Sequence, residues 1–181
     1  MPAYVAMLRG INVSGQKTIK MDRLRELCSG LGFRNVQTYV QSGNIVFQTQ
    51  TENPAAVSKS IGETIHRYFG FDAPVIIRTS KELGNVITIN PFLKEKDIDS
   101  TKLHVTFLSE TARKNSLKNL EELSSSPDRF YAAPHEIYLY CPGGYGRTKL
   151  SNNAVEKALS VRATTRNWKT TNTLFGMVSK L

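Results

Sequence analysis

What most constrains this chain is the order of its candidate elements: strand, helix, strand, strand, helix, strand, and then the same order a second time. Residues 4–8 form an apolar run one strand long, ended by Arg9-Gly10. Met21, Leu24, Leu27, Cys28 and Leu31 then recur at steps of three and four, which is the stripe of a helix that Gly32 is placed to stop. Val36, Thr38 and Val40 alternate with Gln37, Tyr39 and Gln41, and Ile45-Val46-Phe47 follows Ser42-Gly43-Asn44, so a hairpin is expected. Pro54 opens a helix carrying Val57, Ile61, Ile65 and Tyr68-Phe69, Gly70 closes it, and residues 74–78 make the last strand of the first half.

After a connecting helix over residues 81–89, closed by Asn90-Pro91, the order recurs. Residues 103–108 read as a strand, and Leu117, Leu120 and Leu123 as a helix with Ser109 as its N-cap. Residues 130–133 and 136–141 form a hairpin around Pro134-His135. A glycine-rich loop, a short helix (Ala154, Val155, Ala158, Leu159), a strand over 161–163 and a final helix lined by Trp168, Thr171, Leu174, Phe175 and Val178 complete the chain. The fold class is α+β, with two ferredoxin-like (β-α-β-β-α-β) halves and antiparallel sheets. The division is 1–80 for the first half, 81–102 for a connecting helix and linker, and 103–181 for a second half with a basic C-terminal helix. The repeat is one of element order; the residues of the two halves do not visibly align.

The placement of charge says more than its total of +9. Residues 1–80 carry nine Lys/Arg against five Asp/Glu, residues 81–142 eight against nine, and residues 143–181 seven against one. A basic terminal segment favours anionic partners through counterion release and long-range steering. The first residues lack the basic start and long apolar stretch of a secretory signal, and no run approaches the ~20 apolar residues that span a bilayer. A cytoplasmic location without membrane contact is expected. Cys28 and Cys141 stand far apart, and His66, His104 and His135 are equally scattered, so neither a metal site nor another cofactor is expected.

Four polar stretches lie where such a fold would expose loops. Residues 9–18 nearly spell a phosphate-binding loop, but Gln16 stands between Gly15 and Lys17 and displaces the lysine, which argues against nucleotide hydrolysis. What remains are backbone amides, Arg9, Lys17 and the amide of Asn12, an environment that suits an anion. The second stretch is the turn Gln41-Ser42-Gly43-Asn44. In the third, Gly143-Gly144-Tyr145-Gly146-Arg147-Thr148-Lys149, glycines permit close approach, Lys149 supplies charge, and Ser151 or Asn152 caps the next helix. The fourth, residues 164–171, puts Arg166, Asn167 and Lys169 at the start of the last helix, beside Trp168. Tyr138 and Tyr140 share a strand face from which they could stack on bases, although cross-strand packing is the commoner arrangement. No Ser-His-Asp, Cys-His or paired-carboxylate set stands out, so no catalytic constellation is identified.

Through Leu8-Arg9-Gly10-Ile11-Asn12-Val13, residues 39–47, residues 147–151 and residues 163–169, the chain resembles a bacterial family known as domain of unknown function 1697. The resemblance runs nearly end to end. It implies a cytoplasmic protein with two ferredoxin-like halves and no established activity or substrate; the family pattern often has a second glycine where Ser14 stands here. The expected function is binding of an anionic, phosphate-bearing small molecule or a nucleic acid in the cleft between the halves, by Arg9, Asn12, Lys17, Asn44, Lys149, Arg166, Asn167 and Lys169. The alternatives are an enzyme acting on a small phosphorylated substrate and a protein-interaction scaffold. The sequence sets no oligomeric state.

Overall fold

The computed structural model describes residues 1–181. The chain runs β1 (Ala3–Leu8), α1 (Met21–Gly30), β2 (Arg34–Tyr39), β3 (Asn44–Gln48), α2 (Pro54–Phe69), β4 (Val75–Thr79) and α3 (Ser80–Ile89). It continues through β5 (Leu103–Leu108), α4 (Leu117–Leu123), β6 (Arg129–Ala132), β7 (Glu136–Tyr140), α5 (Asn152–Leu159), β8 (Ala163–Asn167) and α6 (Trp168–Val178). There are two four-stranded antiparallel sheets, ordered β2-β3-β1-β4 and β6-β7-β5-β8, which is the ferredoxin-like order twice over.

The local causes are those the sequence announces. Asn53 caps α2 through the backbone amides of Ala55 and Ala56, Pro54 supplies its first turn, and Gly70 ends it in the left-handed conformation. Tyr4, Ala6, Leu8, Ile45, Phe47 and Ile77 present one sheet face to Leu24 and Cys28 of α1 and to Val57, Ile61 and Ile65 of α2. Leu108, Ile137, Leu139 and Ala163 do the same for Leu120 of α4 and Val155 and Leu159 of α5.

Two expectations need correction. The helix after β5 begins at Leu117, so Ser109 does not cap it; Ser109 Oγ instead accepts the Arg162 amide across the end of the β5–β8 pair. The last strand is Ala163–Asn167 rather than 161–163, which moves Arg166 and Asn167 out of the final helix. The repeat of element order extends to the strand registers of the two halves, though not to their residues. Ala3 pairs with Gln48 and Met7 with Asn44, as Leu103 pairs with Tyr140 and Phe107 with Glu136. Val5 pairs with Arg78 as Val105 pairs with Arg166.

By compactness the chain groups into Met1–Gly84 with Thr173–Leu181, and Asn85–Asn172. The end of the chain thus belongs to the first unit, where Gln48 Nε2 donates to the carbonyl of Leu181 at 2.7 Å. This grouping cuts the chain elsewhere than the linear division into 1–80, 81–102 and 103–181.

Candidate functional site

In the first unit, the chain leaving β1 folds into a small hairpin in which Val13 bridges to Gln16 and the Asn12 amide donates to the Lys17 carbonyl. Asn12 occupies a left-handed conformation, φ 53°, that asparagine tolerates better than most residues. Its side chain is fully occupied: Nδ2 donates to the carbonyls of Ile19 (3.0 Å) and Gln41 (2.7 Å), and Oδ1 accepts the Ile19 amide (2.8 Å). Asn12 therefore staples the first loop to the β2–β3 turn. That turn closes against β1 through the Leu8 amide and the Gly43 carbonyl, and Asn44, fully buried, holds it with Nδ2 donating to the Tyr39 carbonyl and Ser42 Oγ. Lys17 points elsewhere, with Nζ donating to the Asp72 carbonyl at 2.7 Å and lying over the Phe71 ring. Arg9 is half-buried beside the hairpin, its amide bonded to the Pro74 carbonyl.

In the second unit, strand alternation separates two of the expected cations. Ala163 and Leu150 share the helix-side core, and Thr165 reaches Tyr145 and Asn152 on that same side. Arg166 therefore faces the other way with Thr164, 7% exposed, and its Nη1 donates to Thr164 Oγ1 (2.7 Å) and to the Thr165 carbonyl (2.9 Å). Lys149, exposed on the loop before α5, lies on the opposite side of the sheet from Arg166. Asn167 has a structural duty, its Oδ1 accepting the Thr170 amide at the start of α6, and Lys169 is exposed in that same first turn. Tyr138 is buried and faces Val105 and Tyr131 across the sheet, so it offers no stacking face to solvent. Tyr140 packs with Phe92 and Arg129.

Register equivalence exposes a site that the sequence reading did not find. On the helix-side face, the first unit has Tyr4, Ala6 and Ile77; the equivalent positions of the second are His104, Thr106 and Thr165. Around these the glycine-rich loop builds a polar cluster. Thr165 Oγ1 donates to Asn152 Oδ1 (2.7 Å) and accepts from the Tyr145 hydroxyl (3.1 Å), which leaves Thr106 Oγ1, 2.7 Å away, as the donor in their pair. The His104 ring stacks on Tyr145 with centroids 5.1 Å apart, and its Nδ1 hydrogen is directed at the Lys102 carbonyl (3.3 Å), so in the neutral ring Nε2 carries the lone pair. Burial holds His104 below the usual histidine range. His104, Tyr145, Asn152 and Thr165 are all partly exposed, so the cluster has an open side.

The loop over this cluster prepares the start of α5. Gly144 sits at φ +90°, a one-turn 3-10 helix spans Tyr145–Arg147, and Ser151 Oγ accepts the Ala154 amide. Arg147 and Lys149 are exposed and take part in none of the ion pairs. No group of three or more His, Cys, Asp or Glu side chains is placed to hold a metal. Burial pushes the Cys28 thiol up to about 12 and the Cys141 thiol up to about 11, so neither is a thiolate at neutral pH. No helix is long and apolar enough to cross a membrane.

Among solved structures, the chain is similar to a conserved bacterial protein, SP0830, from Streptococcus pneumoniae, with 20% identity, a TM-score of 0.78 and 98% of each chain covered. That likeness carries the fold alone. No curated protein matches the chain. A family model described as protein of unknown function (DUF1697) matches residues 1–138, up to the middle of β7 and short of the basic loop and β8. The chain belongs to this DUF1697 family.

Proposed function

We propose that the chain binds a phosphate-bearing ligand at the glycine-rich loop 143–149 and the first turn of α5. One observation carries the reading: from residue 137 to residue 155 there is no carboxylate, while Arg147 and Lys149 stand exposed on a loop whose glycines allow close backbone approach. The amides opening α5 add a partial positive charge at the same place. Arginine grips a phosphate bidentately and lysine acts as a point charge, so the pair suits a terminal phosphate. Titration calorimetry with inorganic pyrophosphate and with nucleoside phosphates tests this. Binding should weaken between about 50 and 200 mM salt, and the Arg147→Ala/Lys149→Ala double variant should bind at least ~10-fold more weakly. Absence of binding by the unaltered protein at low salt, or equal affinity of the double variant, removes the reading.

His104 favours a second reading, an enzyme acting on a small phosphorylated substrate. A neutral imidazole with its tautomer set by a carbonyl is poised to accept a proton at Nε2. A screen of phosphate esters in which His104→Gln turns over as fast as the unaltered protein eliminates it.

A further inference from the structure

The stapled loops of the first unit make a surface unlike the rest of the molecule. Seven of their residues, Gly10, Asn12, Ser14, Gly15, Lys17, Val40 and Gly43, have positive φ. Val40 is the most informative of these. A β-branched residue in the left-handed region is strained, and Val40 also exposes 48% of its surface, so on both counts it works against folding. Val13, at the tip of the neighbouring hairpin, is 59% exposed. The polar residues around the two valines, Ser14, Gln16, Thr18, Lys20, Gln41 and Ser42, are all exposed, and the chain has no Asp or Glu from residue 1 to 21 or from residue 27 to 51.

We infer that this loop pair is a docking surface for a nucleic-acid duplex. Hydroxyl, amide and ammonium donors without carboxylates are the groups that contact a sugar-phosphate backbone. Aliphatic side chains at a rigid tip suit the sugar edges and base steps of a minor groove. No aromatic ring is exposed at the tip, as single-strand binding by stacking would need. Because the Asn12 staple and the buried Gly43–Asn44 turn already fix the loops, little ordering is left to oppose association. The surface lies in a different unit from the phosphate site proposed above, and the two can fail separately.

The test is fluorescence anisotropy of the full chain with labelled DNA and RNA duplexes, alongside vesicles of phosphatidylserine and phosphatidylcholine. The Gln16→Glu/Gln41→Glu variant places two carboxylates among these residues with no change of shape, since Gln41 contributes only its carbonyl to the staple. It should keep its thermal unfolding profile and bind duplex at least ~10-fold more weakly, whereas Arg147→Ala/Lys149→Ala should retain a salt-dependent duplex affinity. Val40→Asn, which relieves the strained backbone, should melt higher and bind duplex less tightly. Duplex binding that survives Gln16→Glu/Gln41→Glu unchanged, or that vanishes only with Arg147→Ala/Lys149→Ala, overturns the inference. So does binding to anionic vesicles with none to duplexes, which would reassign the surface to a membrane.

Discussion

A methyl group added at position 43 has no room. A Cβ there would stand 2.6 Å from Ile11 Cδ1 and 2.8 Å from Leu8 Cβ, and the backbone is at φ +77°. The Ile11 terminus can swing aside, but Leu8 Cβ belongs to β1 and cannot. Left-handed strain of about 1–2 kcal/mol and overpacking of about 1–3 kcal/mol together make Gly43→Ala destabilising by about 2–5 kcal/mol, read by urea unfolding. His104 makes a prediction of opposite character, about solution conditions. Its folded pKa lies below the unfolded value of 6.5, so between the two the unfolded chain binds more protons. Stability should therefore fall as pH drops through about 6.5 and stop falling from this cause once the folded pKa is passed. Replacing His104 with Phe should flatten that part of the profile; an unchanged slope would assign it to other groups.

At the level of elements, the sequence is legible wherever apolar residues form a helical stripe, an alternation or a short unbroken run. α1 and α2 carry the stripe, β5 the alternation and β1 and β3 the run, and all fall close to where they are expected. β8 does not, because Ala163-Thr164-Thr165-Arg166-Asn167 puts polar residues on both faces and buries several of them. The arginine that reads as a helix-start phosphate ligand is thus a strand residue, as is Arg78 at the equivalent position of β4, also 7% exposed. A signal was present: Arg78-Thr79-Ser80-Lys81 and Arg166-Asn167-Trp168-Lys169 repeat Arg-x-x-Lys at the two strand-to-helix junctions. The cluster around Thr165 escaped notice because its members are distant in sequence and meet only through the sheet register. Its energetics follow from the same comparison. Thr165→Val should leave Asn152 Oδ1 and the Tyr145 and Thr106 hydroxyls without their shared partner, costing about 1–3 kcal/mol. Thr106→Ala with Thr165→Ile copies Ala6 and Ile77 of the first unit and removes two of the polar groups together. In a double-mutant cycle the pair should cost less than the sum of its single changes; strict additivity would mean that the hydroxyls act independently.

For the whole molecule, repetition in sequence and compactness in space divide the chain differently. Read linearly, α6 closes the second repeat, as α3 follows the first. In space Thr173–Leu181 is part of the unit built from β1 to β4. Gln48 at the end of β3 bonds the last carbonyl of the chain, and Phe175 leaves so little space at Gly84 that a Cβ there would lie 3.0 Å from its ring. The first unit is therefore completed only after the second has been synthesised, and its strands depend on residues remote in sequence. Removing Thr173–Leu181 should lower amide hydrogen-exchange protection in β1, β3 and β4 more than in β5, β7 and β8, although the deletion adjoins the second repeat. Loss of protection confined to β5–β8 would show that the terminal segment belongs energetically with the strands that precede it. The same dependence predicts that a chain ended at residue 102, the linear boundary, retains every strand of the first sheet and still unfolds at lower denaturant than the first unit does within the full protein.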